Sequence, residues 1–92
     1  MKLIDERDIE GKLFDAVREA GGMCVKLNSI KGIQDRLVLL PGRRVFFVET
    51  KRPVGGRVSE LQKVRRTQIA RMGFPALVIS NADELAKFIE SW

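Results

Sequence analysis

The chain has 92 residues, of which 45% are hydrophobic and 32% charged, and it carries a net charge of +5. This length predicts one small domain over residues 1–92, and the composition excludes a disordered chain, a collagen-like fibre and a coiled-coil rod. The chain has no histidine, which excludes Ser-His-Asp and Cys-His nucleophile systems and any zinc site that uses imidazole. Any chemistry must therefore use carboxylates, lysine, amides and hydroxyls.

The chain also carries signals about its compartment. No apolar run approaches the roughly 18 residues that a membrane span requires. The first eight residues turn from apolar to charged after Ile4, which is unlike a secretory signal. Cys24 is the single cysteine and has no partner for an internal disulfide. We therefore expect a cytoplasmic protein in a reducing interior, with no membrane partner.

The basic charge is concentrated in the middle of the chain. Residues 31–71 hold eleven basic and three acidic residues, a net charge of +8, whereas the two flanks together carry −3. Such a basic segment indicates a polyanionic partner, and nucleic acid is the first candidate. The alternative is a solvated basic surface, which small soluble proteins often have.

The first elements are a helix and a strand. Apolar residues recur at steps of three and four from Glu6 to Ala20, which predicts an amphipathic helix that Gly21 and Gly22 end. A strand is predicted over Met23–Leu27. A loop centred on Gly32 follows, over Ser29–Gln34.

A hairpin occupies the middle of the chain. Arg36–Leu40 and Val45–Thr50 are rich in β-branched, aromatic and other apolar residues, and the turn residues Pro41–Arg44 join them. After the second strand, Arg52–Arg57 contains a proline and two glycines, which favour a loop over regular structure.

A second helix follows that loop. Ser59 with Gln62 three residues later is typical of a capping box at a helix N-terminus. The helix ends at Gly73 and has apolar residues on or near one face, namely Leu61, Val64, Ile69 and Met72.

A strand and a helix complete the chain. The apolar run Ala76–Ser80 predicts a strand covered on both faces. Asn81 caps a last helix whose inward residues are predicted to be Leu85, Phe88 and Ile89.

The order of elements is α-β-β-β-α-β-α, which predicts an α/β domain. The strand Val45–Thr50, the second helix and the strand Ala76–Ser80 form a β-α-β unit, whose strands run parallel through a right-handed crossover. The hairpin adds antiparallel neighbours. We therefore expect a mixed sheet flanked by helices, with a ligand site beyond the strand ends at Thr50 and Lys51.

Acidic and basic side chains meet at those strand ends. Asp35 precedes one strand of the hairpin and Glu49-Thr50-Lys51 ends the other, so the turn brings them side by side. Because side chains alternate along a strand, Glu49 and Lys51 point to the same face. Mg²⁺ prefers carboxylate and carbonyl oxygens, so Asp35, Glu49 and the Thr50 carbonyl are candidate ligands.

This combination suits phosphodiester hydrolysis. A bound metal ion lowers the pKa of its water and stabilises charge that develops on phosphate. Lys51 is the candidate to orient or deprotonate that water, or to neutralise the phosphate. The alternative is that Glu49 and Lys51 form an ordinary surface ion pair.

Basic residues near the proposed site in sequence are candidates for phosphate contacts. For Arg43 and Arg44, in the hairpin turn, the alternative is a solubilising tip without a DNA contact. The predicted DNA-contacting residues are Lys31, Arg52, Arg57, Lys63, Arg65 and Arg66.

Four short motifs in this order resemble those of the PD-(D/E)xK nuclease superfamily, and within it the VRR-NUC (virus-type replication-repair nuclease) branch. The motifs are Gly32-Ile33-Gln34-Asp35, Val45–Val48, Glu49-Thr50-Lys51 and Ser59-x-x-Gln62. The resemblance covers nearly the whole chain and implies a restriction-endonuclease-like fold. One departure is Gln34, where the family has a proline that shapes the backbone.

The resemblance implies roles for individual residues. Asp35 and Glu49 would be metal ligands, Lys51 the catalytic lysine, Glu10 on the first helix a supporting acid and a further candidate ligand, and Gln62 a member of the site. Two of these have structural alternatives: Gln62 as the third residue of its capping box, and Glu10 as one of several solvated acids on its helix.

The resulting prediction is an endodeoxyribonuclease that depends on Mg²⁺ or Mn²⁺. Stand-alone relatives of this size resemble phage-encoded dimers and Holliday-junction resolvases, which implies a phage or bacterial origin, the host cytoplasm, a homodimer and branched DNA such as a four-way junction. The apolar residues of the first or last helix, with Trp92, are the candidate dimer contact, although Trp92 also suits a core position. The alternatives are a non-catalytic nucleic-acid-binding module and a small regulatory protein whose basic face meets an acidic protein.

Overall fold

A computed structural model describes residues 6–27, 35–51 and 58–92 of the chain. The predicted loops Ser29–Gln34 and Arg52–Arg57 lie outside the described residues, as do Lys31, Arg52 and Arg57. The predicted order of elements is confirmed. The elements are α1 (Glu6–Glu19), β1 (Met23–Lys26), β2 (Arg36–Leu40), β3 (Arg44–Thr50), α2 (Glu60–Arg71), β4 (Ala76–Ile79) and α3 (Ala82–Ser91).

The four strands form one mixed sheet in the order β1-β2-β3-β4. The predicted hairpin is confirmed, since β2 and β3 pair antiparallel with Leu40 opposite Arg44. The predicted parallel pair is also confirmed, because β3 and β4 run in the same direction with Thr50 opposite Ile79. β1 adds an antiparallel strand at the far edge.

The turn between α1 and β1 requires a residue without a side chain. A Cβ atom on Gly22 would lie 2.2 Å from the backbone oxygen of Leu39 and 2.8 Å from the Leu40 side chain. This close approach explains why the turn after α1 has a glycine at position 22, directly before β1. It also packs α1 closely against the hairpin.

The core lies between α1, α3 and one face of the sheet. Ile9, Leu13 and Val17 are fully buried along α1, as their three- and four-residue spacing predicts. They belong to one cluster with buried residues of the strands and of α3, namely Val38, Leu40, Val48, Ile79, Leu85 and Phe88. Ile89, also predicted to face inward, packs partly buried against this cluster.

Trp92 belongs to the edge of this core. Its ring makes an edge-to-face contact with Phe88 at a centroid distance of 5.0 Å, and Phe88 makes the same kind of contact with Phe46. Trp92 is partly buried against the core cluster. The aromatic series therefore fastens the C-terminal end of α3 to the sheet.

Helix α2 is less buried than its apolar residues suggest. Ile69 is its buried residue, whereas Leu61, Val64 and Met72 are 37%, 51% and 67% exposed. The reason is that α2 packs mainly on β4, an edge strand, which is too narrow to cover a whole helical face. Ile69 also lies outside the core cluster that α1 and α3 form with the sheet.

The strand predicted over Ala76–Ser80 is less completely covered than its apolar run predicts. Ile79 is buried, but Ala76, Leu77 and Val78 are only half-buried. The cause is the edge position of β4, which leaves one side of the strand without a neighbour. None of the described helices is long and apolar enough to cross a membrane.

Candidate active site

The structure brings Asp35, Glu49 and Lys51 together. Arg36 pairs with Val48 across the hairpin, so Asp35, one residue earlier, lies beside Glu49. The backbone N–H of Asp35 donates to Glu49 Oε2 at 3.3 Å. Lys51 Nζ lies 3.7 Å from Glu49 Oε1. The predicted convergence of two acidic residues and one lysine at the strand ends is therefore present in the structure.

Glu49 is almost completely buried although it carries a carboxyl group. Its side chain is 2% exposed, whereas the Lys51 side chain is 21% exposed and open to solvent. An ordinary surface ion pair would leave both groups in water. The Glu49–Lys51 pair is instead a partly buried arrangement in which the lysine covers the outer side of the carboxylate.

Burial changes the acidity of Glu49. Removal of the carboxyl from water, with hydrogen bonding and charge repulsion from the Asp35 carboxyl, raises the pKa of Glu49 to about 7. The charge of Lys51 and the Asp35 backbone N–H act in the opposite direction. Without an additional positive charge, the two neighbouring carboxyls therefore disfavour a second negative charge.

Two oxygen atoms of this pair lack a hydrogen bond. Asp35 Oδ1 and Glu49 Oε1 are buried and accept no hydrogen bond within the described residues. Buried polar atoms in proteins are almost always satisfied, so such atoms mark a site for a ligand. Both are carboxylate oxygens, the donors that Mg²⁺ and Mn²⁺ prefer. The residues present therefore fit a divalent cation.

Glu10 lies elsewhere. In the described part of the chain, no group of three acidic, histidine or cysteine side chains is placed to hold one metal ion. Glu10 Oε2 accepts a hydrogen bond from Arg36 at 2.9 Å, and Glu10 Oε1 accepts one from the Thr50 hydroxyl, also at 2.9 Å. The structure thus separates Glu10 from Asp35 and Glu49, with which the sequence motifs group it.

Gln62 caps α2, as the sequence predicts. The Ser59 hydroxyl accepts from the Gln62 backbone N–H at 3.1 Å, and Gln62 Oε1 accepts from the Ser59 backbone N–H at 2.9 Å. This is a complete capping box. The side-chain oxygen of Gln62 is therefore engaged within its own helix.

Three of the predicted DNA-contacting residues lie on α2. Lys63 forms an exposed ion pair with Glu60 at 3.2 Å, and Arg65 donates to Gln68 at 3.1 Å. The Nε atom of Arg65 is buried and donates to no group within the described residues. Arg65 and Arg66 are half-buried and follow Gln62 by about one helical turn.

The sequence motifs missed Arg36. Its guanidinium forms an ion pair with Glu10 and links α1 to the residue next to Asp35. The signal was available, because alternation along the hairpin puts Arg36 on the face opposite Asp35, the face that α1 covers. The Thr50 side chain was missed for the same reason, since only its backbone carbonyl entered the predicted site.

Proteins similar to this chain are known both by sequence and by structure. No family model matches the chain. A protein of Acyrthosiphon pisum secondary endosymbiont phage 1, described as "Putative nuclease p44", is 35% identical over 85 residues, with 90% of each chain covered. A solved structure described as "VRR_NUC domain" superimposes with a TM-score of 0.87 at 24% identity, covering 95% of this chain and 96% of that one.

The element order, the mixed sheet and the paired acids at the strand ends define an α/β domain of the restriction-endonuclease-like class. The likeness to the phage relative extends over nearly the full length of both chains. The chain belongs to the VRR-NUC family.

Proposed function

We propose that the protein is a nuclease that hydrolyses phosphodiester bonds of DNA with Mg²⁺ or Mn²⁺. The observation that carries the proposal is the Asp35–Glu49 pair, in which one buried oxygen of each carboxyl accepts no hydrogen bond within the described residues while Lys51 lies alongside. A purely structural acid pair in a stable fold would have both oxygens satisfied. The phage relative described as a nuclease supports the same activity.

The residues of the site have two kinds of role in this proposal. Asp35, Glu49 and the Thr50 carbonyl would hold the cation, which when bound would supply an acidic water and neutralise charge on the phosphate. Lys51 is partly exposed, so its ammonium reaches the incoming phosphate or the attacking water. Burial of Glu49 excludes bulk water from one side of the reacting group and strengthens these electrostatic contacts.

DNA is the proposed substrate because the middle of the chain is strongly basic. Among the described residues, the proposed phosphate contacts are Arg65 and Arg66 on α2, with Lys63 as a third, exposed cation on the same helix. We propose Lys31, Arg52 and Arg57 as further contacts on the strength of their charge and sequence position. Such contacts fix the DNA backbone and carry no base sequence information.

A branched substrate and a homodimer belong together in this proposal. A four-way junction has approximate two-fold symmetry, and its resolution requires two cuts, whereas this chain carries one candidate site. A two-fold dimer supplies the second site. Apolar side chains that are more than a third exposed lie near both edges of the sheet, Met23 on β1 and Val64 with Met72 on and just after α2, and each edge offers surface for such a contact. The proposed compartment is the host cytoplasm, in line with the phage relative.

The competing function is a nucleic-acid-binding module without activity. The direct test incubates the protein with labelled four-way junction, flap and linear DNA in Mg²⁺, Mn²⁺ or EDTA. The proposal predicts cleavage with the metals and none in EDTA, with paired nicks at symmetric junction positions. Binding without cleavage on every substrate and metal would favour the module.

Light scattering at micromolar concentration tests the assembly. A dimer that nicks both opposing strands of the junction supports the full proposal. A monomer that cuts one strand of flap or nicked DNA would retain the nuclease activity and remove the junction as the substrate.

A further inference from the structure

We infer that Glu10 is a positioning residue that holds both catalytic strand ends from the opposite face of the sheet, and that it is not a metal ligand. The inference rests on the proposed function, because it concerns the same site. It assigns new roles to the Arg36 guanidinium and the Thr50 hydroxyl. Neither group enters the site through the sequence motifs.

The first step is the contact geometry. Glu10 projects from α1 and accepts two hydrogen bonds of 2.9 Å, one at each carboxylate oxygen. The donors come from two different strands, since Arg36 begins β2 and Thr50 ends β3. One carboxylate thus joins the helix to the two strand ends that meet at the candidate site.

The second step is the position of the donors in the chain. Arg36 directly follows Asp35, and Thr50 lies between Glu49 and Lys51. Every proposed catalytic side chain is therefore a sequence neighbour of a residue that Glu10 holds. Because strand side chains alternate, Glu10 acts on one face while the three catalytic groups project on the other. Fixing the backbone at Arg36 and Thr50 fixes where those groups point.

The third step concerns satisfaction of the carboxylates. Both Glu10 oxygens have donors, and Arg36 supplies the balancing positive charge at 2.9 Å. Asp35 Oδ1 and Glu49 Oε1 have none among the described residues. A cation gains more from oxygens that lack partners than from a carboxylate that must first give up an ion pair and a hydroxyl.

The fourth step is the environment of the contact. The side chains of Arg36 and Glu10 are 19% and 25% exposed, and Thr50 is fully buried. A largely buried, charge-assisted contact holds its geometry better than an exposed one. Catalytic groups that shift by about 1 Å lose on the order of a hundredfold in rate, so this contact is well placed to influence turnover.

The test compares Glu10→Gln, Arg36→Met and Arg36→Lys with Asp15→Asn, a control on the exposed side of α1. Mn²⁺ binding is measured by calorimetry, and cleavage is measured as separate kcat and KM values. We expect Glu10→Gln to bind Mn²⁺ within about threefold of the wild-type affinity while kcat falls about tenfold to a hundredfold, the usual cost of a lost supporting contact. KM changes little, and Arg36→Lys retains more kcat than Arg36→Met.

Loss of Mn²⁺ binding in Glu10→Gln, to the degree seen in Glu49→Gln, would overturn the inference and make Glu10 a ligand. Unchanged kcat in both Glu10→Gln and Arg36→Met would overturn it as well.

A metal-free readout keeps this test separate from the proposed function. In amide NMR spectra without metal, Glu10→Gln should shift the resonances of Asp35, Glu49 and Lys51, whereas Asp15→Asn should not. This result supports the positioning role even if the wild-type protein cleaves no DNA. Resonances of the three residues that stay at their wild-type positions in a folded Glu10→Gln protein would overturn it.

Discussion

The ends of β2 and β3 present two different chemical environments on the two faces of one sheet. On one face, Asp35 and Glu49 lie together, each with a buried oxygen that accepts no hydrogen bond from the described residues, and Lys51 is the nearby cation. On the other face, Glu10 is neutralised by Arg36 and accepts a further hydrogen bond from Thr50. Both faces contain buried or half-buried acids. Among these three acids of the described residues, Glu10 is the one whose two carboxylate oxygens both accept hydrogen bonds.

This difference distinguishes Asp35 and Glu49, whose carboxyls are available to a ligand, from Glu10, whose carboxylate supports the structure of the strand ends. Burial of an acid costs free energy unless a partner compensates it. Glu10 has its partners within the protein, so its burial is compensated in the folded chain alone. Glu49 has incomplete compensation, and its pKa is raised to about 7 as a result. The structure tolerates this cost where the proposed cation binds.

The largest expected effect comes from removing the unsatisfied pair. Asp35→Ala and Glu49→Ala should each lower cleavage by about a thousandfold or more, because a lost metal ligand removes several kcal/mol of charge stabilisation in the transition state. DNA affinity should stay equal or rise, since each change removes negative charge near phosphate. Initial cleavage rates and DNA titrations measure the two quantities. Asp15→Ala, which removes an exposed acid on α1, is the matched control, and loss of DNA binding in the Asp35 or Glu49 variant would contradict this account.

The second effect is a pH dependence of stability in the metal-free protein. The folded state retains the Glu49 proton up to pH about 7, whereas the unfolded chain releases it near the ordinary value of 4.5. Stability from this group is therefore complete below pH 4.5 and is lost as the pH rises to about 7, by up to about 3 kcal/mol. Denaturant unfolding at several pH values measures it.

Two comparisons isolate that effect. Glu49→Gln should flatten the dependence, because the amide does not titrate. Mn²⁺ should also flatten it in the wild-type protein, since a cation favours the ionised carboxyl. A dependence that is the same in the wild-type and Glu49→Gln proteins would assign the titration to another group.

The third effect concerns Gln62 and is smaller. Gln62→Ala removes half of the capping box and should destabilise the protein by about 1 kcal/mol. Gln62→Glu should restore the stability, because its carboxylate can accept from the Ser59 backbone N–H. If Gln62 acts only as a cap, kcat for DNA cleavage stays near the wild-type value in both variants. A large fall in kcat for Gln62→Glu at full stability would place Gln62 in the catalytic site.

The smallest effect concerns DNA binding by α2. Each phosphate contact contributes about 0.9 to the slope of log K against log salt concentration. Replacing Arg65 and Arg66 together with alanine should reduce that slope by up to about two units. Binding measured at four or five salt concentrations gives the slope. A slope equal to that of the wild-type protein would remove this part of α2 from the DNA contact.

The sequence predicted the order of elements and, of the two faces compared above, the one that carries Asp35, Glu49 and Lys51. The hairpin turn and strand alternation were sufficient to bring Asp35 beside Glu49 and to place Lys51 on the same face. The capping box at Ser59 was equally readable, because it depends on residues three positions apart. These features depend on local spacing, which a sequence displays directly.

The contacts of Glu10 on the other face join segments that are distant in the sequence. Glu10 is one of several acids on α1, and only the docking of that helix on the sheet selects it as the partner of Arg36 and Thr50. The exposure of Val64 and Met72 likewise follows from the narrow edge position of β4. Helix spacing identifies an apolar face but carries no information about how much surface a neighbour covers.

Mn²⁺ titration of the metal-free protein tests the central claim most directly. Calorimetry should detect binding to the wild-type protein and to Glu10→Gln, and no binding to Asp35→Ala or Glu49→Ala when all four are folded by circular dichroism. This result would assign the cation to the face with the unsatisfied oxygens. Mn²⁺ that binds Asp35→Ala and Glu49→Ala as tightly as the wild-type protein would contradict the account.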